Sequence, residues 1–163
     1  MADFDKALAA DVMGRAESAK AEIEFVQSHR AMASKLLDLM AKGEIPERIT
    51  HNDTKINNVM LDDESGEGIC VIDLDTIMPG ISLYDFGDLV RTSTSPAAED
   101  EKDLSKVYAR MEMFEALARG FLEDAGGCLT PAEIENMPFS GMLITFEIGV
   151  RFLTDYLDGD KYF

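Results

Sequence analysis

Residues 51–75, HNDTKINNVMLDDESGEGICVIDLD, combine two short apolar runs with a histidine, asparagines and aspartates. The runs at 58–63 and 68–75 flank the turn-forming segment ESGEG, an arrangement that predicts a β-hairpin. The polar residues lie at both ends of this hairpin. The stretch is therefore either an acidic surface hairpin or the centre of a catalytic site.

The composition predicts one acidic globular domain over residues 1–163. Of these residues 46% are hydrophobic, which is enough to build a core. Thirty-two acidic against 15 basic residues give a formal charge of −17, which repels nucleic acid and anionic membrane surfaces. We therefore expect no nucleic-acid partner and no membrane partner. A nucleotide substrate is compatible with the charge, because it arrives with magnesium and carboxylates bind that cation.

Two further features predict a soluble cytoplasmic protein. Cys70 and Cys128 lack the spacing of a disulfide framework or a zinc site, so reduced thiols are expected. The first residues show no basic region followed by an apolar stretch, and no run of about 18 uncharged apolar residues occurs.

Helical periodicity covers much of the remaining chain. Apolar residues recur at helical spacing from about 18 to 42, from about 102 to 124 and from about 140 to 157. We interpret the methionine and aromatic stripe of the second segment as core. A further short helix is expected after Thr130, because Pro131 and Glu133 complete the pattern of a capping box. The predicted fold class is α+β, mostly α-helical, with one small hairpin.

The polar residues of the hairpin follow the order that phosphoryl transfer needs. His51, Asp53, Lys55 and Asn58 form the pattern H-x-D-x-K-x-x-N, and Asp73 comes 15 residues after Asn58. The reaction requires an aimed acceptor hydroxyl and a metal ion that neutralises the developing charge. Asp53 can face the substrate while Asn58 faces the metal, and the returning hairpin brings Asp73 beside Asn58.

These residue types also have purely structural uses. Asp53 and Asn58 could form Asx turns in a loop. The acidic residues of the hairpin tip are interpreted as solvated: Asp62, Asp63, Glu64 and Glu67. Neither DLDTIMPG nor DYLDGD has the alternation and terminal glutamate of a calcium-binding loop. The ordered set of five residues favours catalysis, because chance produces such a set less readily than any single member.

The segments THNDTKINNVML (50–61) and CVIDLDTIMPGISLYDFGDLVR (70–91) resemble the catalytic and metal-binding loops of the aminoglycoside phosphotransferase and choline kinase superfamily. Within it they most resemble the bacterial N-acetylhexosamine 1-kinases. The interval of 12 residues from Asp73 to Asp85 matches the superfamily pattern, and GEIP and FEIGVRFLTDYLDGDKYF extend the likeness. The resemblance implies a protein-kinase-like C-terminal lobe whose small hairpin carries both loops.

The resemblance also implies a role for each residue of the catalytic loop. Asp53 would be the base or would orient the acceptor hydroxyl, and His51 would hold the loop backbone. Lys55 would contact a phosphate of ATP, the co-substrate. The expected reaction moves the γ-phosphate of ATP to the anomeric hydroxyl of an N-acetylhexosamine.

The second loop is implied to supply the metal site and a structural contact. Asn58 and Asp73 would bind Mg²⁺ or Mn²⁺, together with the nucleotide phosphates. Asp85 would brace the catalytic loop. Asp75, two residues after Asp73, would face the metal or the sugar instead of solvent.

The last predicted helix offers candidate acceptor contacts. Glu147, Arg151 and Asp155 stand at i, i+4 and i+8 and therefore share one face. That face is either a surface ladder of salt bridges or a polar wall that binds the acceptor. The likeness to the hexosamine kinases implies sugar contacts from Arg151 and from Tyr162.

The resemblance is incomplete, because we find no glycine-rich loop and no strand lysine of the V-A-I-K type. The chain is therefore expected to be a C-terminal lobe alone, inactive by itself. It would expose an apolar surface that allows self-association. Two alternatives stay open: a kinase of the same superfamily that acts on an aminoglycoside, choline or homoserine, and a non-catalytic binding module with this fold.

Overall fold

The structure is a computed structural model that describes residues 1–98 and 101–162. Within these residues the chain forms helices and two small sheets, and no helix among them is long and apolar enough to cross a membrane. The elements in chain order are α1 (Ala2–Ala10), α2 (Lys20–Ser28), α3 (Lys35–Ala41), β1 (Arg48–Thr50), β2 (Val59–Leu61), β3 (Gly68–Val71), β4 (Met78–Gly80), α4 (Ser82–Thr94), α5 (Met111–Ala125) and α6 (Pro131–Asp158). Short 3₁₀ turns cover Arg30–Ser34, Ile56–Asn58, Leu74–Thr76 and Leu104–Lys106.

The long helix α6 contributes to both hydrophobic clusters of the core. Its N-terminus is fixed by a capping box between Thr130 and Glu133. Its C-terminal half packs against α1 and α2 in one cluster, formed by Phe4, Ala7, Ala19, Ile23, Val26, Phe146, Val150, Leu153 and Leu157. Its N-terminal half packs against α3 and α4 in the other, formed by Leu36, Ile45, Ile81, Leu83, Phe86, Met137 and Leu143. The helix α6 therefore links the N-terminal helices to the region around α4.

Helix α4 lies unusually close to α6. A Cβ atom at Gly87 would lie 2.5 Å from the backbone oxygen of Ser140, and one at Gly141 would lie 2.8 Å from Cγ1 of Val90. Glycine at these two positions lets the helix backbones approach each other. The close packing fixes the position of α4 and of every side chain that α4 presents to the loops.

The four strands form two antiparallel pairs. In one, β1 pairs with β4, with Arg48 opposite Gly80 and Thr50 opposite Met78. In the other, β2 pairs with β3, with Val59 opposite Val71. The loop between β1 and β2 and the loop between β3 and β4 therefore lie side by side where the two sheets meet.

The predicted hairpin is confirmed as β2 and β3, and a second pair of strands that the sequence did not predict accompanies it. Strands β1 and β4 form a second sheet. Each is only three residues long, and β4 contains Pro79, which is uncommon within strands. Their pairing joins segments far apart in the sequence, so alternation within either one could not reveal it.

Three helix predictions need correction. The segment predicted as one helix from 18 to 42 is divided by the 3₁₀ turn Arg30–Ser34. In the segment predicted as a helix from 102, the α-helix begins only at Met111. Just before it, the backbone N–H of Arg110 donates a hydrogen bond to the Thr94 carbonyl at the end of α4. The two helices expected from about 131 and 140 are one continuous helix, α6, with Pro138 inside it. Helices α1 and α4 were not predicted.

The core interpretation of the methionine and aromatic stripe holds for part of α5. The rings of Phe114 and Phe121 lie 6.1 Å and 5.1 Å from that of Phe86, centroid to centroid. Leu104 and Met111, in contrast, are exposed. The stripe therefore packs only from the second turn of the helix onward.

Candidate active site

Asp85 of α4 holds the first residues of the loop between β1 and β2. Its carboxylate accepts hydrogen bonds from the backbone N–H of His51 at 2.9 Å and of Asn52 at 2.7 Å. Its backbone carbonyl accepts a third from the Thr54 hydroxyl at 2.6 Å. Asn52 adopts a left-handed conformation with φ of 64°, which asparagine tolerates better than most residues. The loop is thus attached to the helix on both sides of Asp53.

His51 connects this loop to the end of β3. Its Nε2 lies 3.0 Å from the Ile72 carbonyl, and its Nδ1 lies 3.3 Å from the Asp53 backbone nitrogen. A carbonyl only accepts, so Nε2 carries the proton and Nδ1 accepts from the Asp53 N–H. With both nitrogens engaged, the imidazole orients the backbone at Asp53 and has no ring nitrogen left for a substrate.

Asp53 is held by two side chains of its own loop. Lys55 Nζ lies 2.7 Å from Asp53 Oδ2, and Asn58 Nδ2 donates to the same oxygen at 2.9 Å and to the Asp53 carbonyl at 2.8 Å. Partial burial raises the pKa of Asp53, but the hydrogen bonds from Lys55 and Asn58 outweigh it, so the pKa lies below its ordinary value. Asp53 is therefore ionised at neutral pH. Both contacts use Oδ2, and Oδ1 has no hydrogen bond within the described residues.

Asn58 and Asp73 present oxygens suited to a hard cation. Asn58 is only 5% exposed, and its amide nitrogen is turned toward Asp53, which leaves Oδ1 without a partner in the described part of the chain. The backbone N–H of Ile72 donates to the Asn58 carbonyl at 2.9 Å, so Asp73 follows directly beside it. Asp73 is left-handed with φ of 63°, and its carboxylate makes no hydrogen bond or ion pair in residues 1–98 and 101–162.

This pair fits a magnesium site completed by phosphate oxygens or water. Carboxylate and amide oxygens are ligands that Mg²⁺ accepts, and Mg²⁺ in proteins usually keeps only one or two protein ligands. The described residues contain no group of three or more His, Cys, Asp or Glu side chains that could hold a metal without other ligands. The donor set therefore suits a cation that arrives with a nucleotide better than a permanently bound one.

Asp88 of α4 lies beside the loop and was not recognised from the sequence. Its side chain is 14% exposed, and Arg91 Nε lies 3.2 Å from its Oδ1. Burial raises its pKa, Arg91 opposes that change, and the nearby charge of Asp53 raises the pKa further. In the sequence, Asp88 is distinguished by its spacing of three residues from Asp85. This spacing places the two side chains on one face only if the segment is a helix, and that helix was not predicted.

A buried ion pair supports the strand that leads into the loop. Glu133 is 0% exposed, and Arg48 of β1 contacts it through Nε and through a second nitrogen, each at 2.7 Å. The Ser82 hydroxyl donates to Glu133 at 2.6 Å, and the Thr130 backbone N–H at 2.7 Å. Burial alone would raise the pKa of Glu133, but these donors lower it to about 2. Glu133 was predicted only as a capping residue, so its contact with Arg48 was missed.

Two of the acceptor residues predicted on α6, Arg151 and Asp155, contact the residues that follow the helix. The Arg151 guanidinium lies 6.0 Å from the centre of the Tyr162 ring. Asp155 accepts from the backbone N–H groups of Lys161 at 2.9 Å and Tyr162 at 3.0 Å, so it also caps the end of the helix. Glu147 is exposed. Burial of Tyr84 in α4 raises the pKa of that tyrosine, and the negative charge of Glu147 raises it further.

Asp75 belongs to the loop between β3 and β4. It is exposed within the 3₁₀ turn Leu74–Thr76, immediately after Asp73 and its neighbour Leu74. Its carboxylate makes no hydrogen bond or ion pair within the described residues. The structure thus brings together Asp53, Lys55, Asn58, Asp73 and Asp85. Of the predicted acceptor contacts, Asp75 follows Asp73 in the same loop, and the others lie on α6 and just after it.

A comparison with known families agrees with this geometry. The model of the phosphotransferase enzyme family (APH) matches residues 1–126, a range that contains both loops and α4. The match extends over more than three quarters of the 163 residues. Phosphotransferases of this kind use ATP and usually a divalent metal ion, which accords with the carboxylate and amide oxygens described above. The chain belongs to the phosphotransferase enzyme family.

Proposed function

We propose that the chain is the catalytic lobe of a sugar 1-kinase, which transfers the γ-phosphate of ATP to the anomeric hydroxyl of N-acetylglucosamine or N-acetylgalactosamine. The observation that carries the proposal is the geometry of Asp53. Two donors occupy one of its carboxylate oxygens, and the other is free to accept the proton of a hydroxyl group.

Each residue of the loop has a task in the proposed reaction. Asp53 Oδ1 accepts a hydrogen bond from the acceptor hydroxyl and directs the hydroxyl oxygen at the γ-phosphate. It takes up the hydroxyl proton as the new O–P bond forms and the bond from the γ-phosphorus to the departing ADP breaks. Before substrates bind, the positive charge of Lys55 offsets the negative charge of Asp53. During the transfer, Lys55 would stabilise the negative charge of the transferred phosphate. Asp85 and His51 keep the loop backbone in place during the transfer.

Asn58 and Asp73 would hold the metal ion, Mg²⁺ or Mn²⁺. The ion would neutralise negative charge on the nucleotide phosphates. The hydrogen bond from Asn58 to Asp53 links the two halves of the site, because it orients the amide oxygen away from the base. Asp73 adds the formal negative charge that makes the pair attractive to a cation.

The acceptor part of the proposal rests on α6 and the loop after β3. Glu147, Arg151 and Tyr162 would bind hydroxyl groups and the acetamide of the sugar, with Asp155 holding the backbone of Tyr162. Asp75, which is exposed, would contact the sugar or the metal ion. The neighbouring positions of Arg151 and Tyr162 support this assignment.

We further propose that the chain is one kinase-like C-terminal lobe and needs a nucleotide-binding lobe for turnover. Exposed apolar side chains on both small sheets support this arrangement: Ile49, Met60, Leu61, Ile69, Val71 and Met78. A second lobe would cover them, and residues 1–163 alone would self-associate through the same surface. The purified chain is therefore expected to turn over no ATP at a useful rate. We also propose that the protein is cytoplasmic, because ATP is available there.

A panel of acceptors tests the function. The complete encoded protein is incubated with ATP, Mg²⁺ and either an N-acetylhexosamine, an aminoglycoside, choline or homoserine, and phosphorus NMR identifies the product. We expect a sugar 1-phosphate, and we expect Asp53→Asn to lower kcat by about 100- to 10,000-fold with little change in KM.

Other results would redirect the proposal in defined ways. Phosphorylation of a different acceptor would support the kinase activity but would contradict the proposed sugar substrate. Unchanged kcat in Asp53→Asn would remove Asp53 from the chemistry. Lack of transfer to any acceptor would favour a non-catalytic binding module.

A further inference from the structure

We propose that Asn52 and Thr76 are positioning residues that hold the loop of Asp73 in a fixed place beside the loop of Asp53. Neither side chain would touch metal or substrate, and both would act through the backbone of the two loops. The inference rests on the proposed function, because it takes Asp53 as the base and Asp73 as a metal ligand.

The loop that carries Asp73 is held by little packing. Residues 71–75 and 77–79 are all exposed, whereas Thr76 is half-buried. Asp73 has a left-handed φ of 63°, and a non-glycine residue keeps such a conformation only where its surroundings enforce it. Because burial contributes little here, hydrogen bonds to the neighbouring loop must supply that constraint.

Two hydrogen bonds attach the chain after Asp73 to the catalytic loop. The Thr76 hydroxyl donates to the His51 carbonyl at 2.6 Å, and Asn52 Nδ2 donates to the Thr76 carbonyl at 2.9 Å. Thr76 is thus bound through its side chain and through its backbone. Its two partners are the residues that directly precede Asp53.

The chain before Asp73 is attached to the same loop. The Ile72 carbonyl lies 3.0 Å from His51 Nε2, and the Ile72 backbone N–H donates to the Asn58 carbonyl at 2.9 Å. Asp73 is therefore held on both sides, and each point of attachment lies on the loop that carries Asp53. The relative position of the two carboxylates follows from these contacts.

The side chain of Asn52 is itself oriented by β1 and β4. The Thr50 hydroxyl is buried and lies 2.9 Å from Asn52 Oδ1 and 3.2 Å from the Met78 carbonyl. The amide nitrogen is thereby turned toward the Thr76 carbonyl. A Cβ atom at Gly80 would collide with the Thr50 hydroxyl and lie 3.2 Å from Asn52 Oδ1, so glycine in β4 leaves room for this arrangement.

These contacts bear on the binding of a metal ion by Asn58 and Asp73. Ligands that are fixed in place before binding lose less conformational freedom when the cation arrives. Partners that orient a ligand without touching the metal typically contribute about 10- to 100-fold in metal affinity or activity. Release of Thr76 from the catalytic loop should therefore weaken metal binding, although both ligands remain.

Manganese titration of residues 1–163, followed by electron paramagnetic resonance, tests the inference. Asn52→Gly removes the amide and keeps the left-handed backbone, which glycine adopts freely. Thr76→Val removes the hydroxyl. Each change should lower Mn²⁺ affinity by about tenfold, and Thr76→Ser, which keeps the hydroxyl, should bind as wild type. The double variant should lose less than the product of the two single losses, because both changes release one connection.

Hydrogen exchange without metal reports on the loop directly. Backbone amides from 72 to 78 should exchange faster in Asn52→Gly and in Thr76→Val than in wild type, whereas those of α6 should keep their wild-type rates. This measurement needs neither metal nor acceptor and is therefore independent of turnover.

Two controls separate positioning from a general loss of stability. Thr154→Val removes a hydroxyl–carbonyl hydrogen bond of the same length, 2.6 Å, within α6. Asp63→Asn changes a carboxylate at the exposed hairpin tip. Both should keep wild-type Mn²⁺ affinity and wild-type exchange from 72 to 78, even where Thr154→Val lowers Tm.

Kinetics of the complete encoded protein supply a further distinction. Asn52→Gly should raise the Mg²⁺ concentration for half-maximal activity by about tenfold, leave KM for the acceptor within about twofold, and regain part of its kcat in excess Mg²⁺. A residue that only stabilises the fold would show no such rescue by metal. If Asn52→Gly does not fold, Thr76→Val and Thr76→Ser decide the question.

The binding data distinguish failure of the inference from failure of the proposed function. Wild-type Mn²⁺ affinity in both Asn52→Gly and Thr76→Val would overturn the inference, and if Asp73→Ala binds less Mn²⁺ at the same time, the proposed metal site stands. Equal affinities of wild type and Asp73→Ala would overturn the metal role of Asp73 and the inference with it.

Discussion

The Lys55 ammonium and the Asp53 carboxylate are 2.7 Å apart, and the contact uses only one of the two carboxylate oxygens. The lysine therefore stabilises the charged form of Asp53 without blocking the oxygen that would meet an acceptor. This pairing makes the ionisation of the base depend on a residue two positions away in the same loop.

Replacement of Lys55 by methionine should move the acidic limb of the pH profile to higher pH. Lys55 holds the pKa of Asp53 below its ordinary value, so its removal raises that pKa. Because a base must be ionised to accept a proton, activity should then be lost at a higher pH as the solution is acidified. The measurement is kcat/KM against pH for wild type and Lys55→Met.

Lys106→Met is the matched control, because Lys106 is an exposed lysine that also pairs with a carboxylate, that of Glu101. It should leave the acidic limb unchanged. If Lys55→Met lowers kcat but leaves the acidic limb of the pH profile unchanged, Lys55 contacts the transferred phosphate and does not control the pKa of Asp53.

Asp85→Asn should destabilise the chain even without substrates. The carboxylate accepts from the backbone N–H of His51 and of Asn52 through separate oxygens. An asparagine offers one acceptor oxygen, so one backbone N–H loses its partner at a cost of about 1–3 kcal/mol. Calorimetry on residues 1–163 should show a lower Tm than for wild type and for Asp63→Asn. An unchanged Tm would mean that the loop keeps its position without this contact.

Manganese binding tests the proposed metal site in the chain alone. We expect weak binding that depends on Asp73, because two protein oxygens complete only part of the coordination shell. Titration followed by electron paramagnetic resonance should show reduced affinity in Asp73→Ala and wild-type affinity in Asp63→Asn. Equal affinities for all three proteins would remove Asp73 from the metal site.

The parts of the site that are close in sequence could be predicted, and those that depend on packing could not. Asp53, Lys55 and Asn58 lie within six residues, so their spacing alone indicates that they meet. The position of Asp88 depends on α4, which begins without a side-chain cap. Without a capping signal, the segment from 82 to 94 did not stand out as a helix, and Asp88 was not connected with Asp53.

The same limit explains the missed second sheet and the missed ion pair. Arg48 and Glu133 are separated by 85 positions in the sequence, and each has an ordinary local interpretation. The first is a charged residue in a largely polar segment, and the second is part of a capping box. Only the packing of β1 against the start of α6 brings them together. Local patterns predict elements, whereas contacts between distant elements follow from the fold.

The buried pair of Glu133 and Arg48 leads to a prediction about stability and pH. The folded state lowers the pKa of Glu133 from 4.5 to about 2. A depressed carboxyl pKa contributes stability that is fully present above the unfolded value and is lost as the pH falls toward the folded value. The contribution should therefore be complete above about pH 4.5 and should decline between about pH 4.5 and about pH 2. A shift of that size corresponds to about 3 kcal/mol.

Glu133→Gln should remove this contribution while leaving Arg48 without its charged partner. We expect a lower free energy of unfolding at pH 7 and a flatter decline on acidification than in wild type. Urea unfolding at a series of pH values from neutral to about 3 measures both quantities. Glu135→Gln, an exposed change on the same helix, should follow the wild-type curve. If Glu133→Gln and wild type lose stability in parallel below pH 4.5, the charge of Glu133 does not stabilise the fold, and the strand that leads into the catalytic loop is held by packing alone.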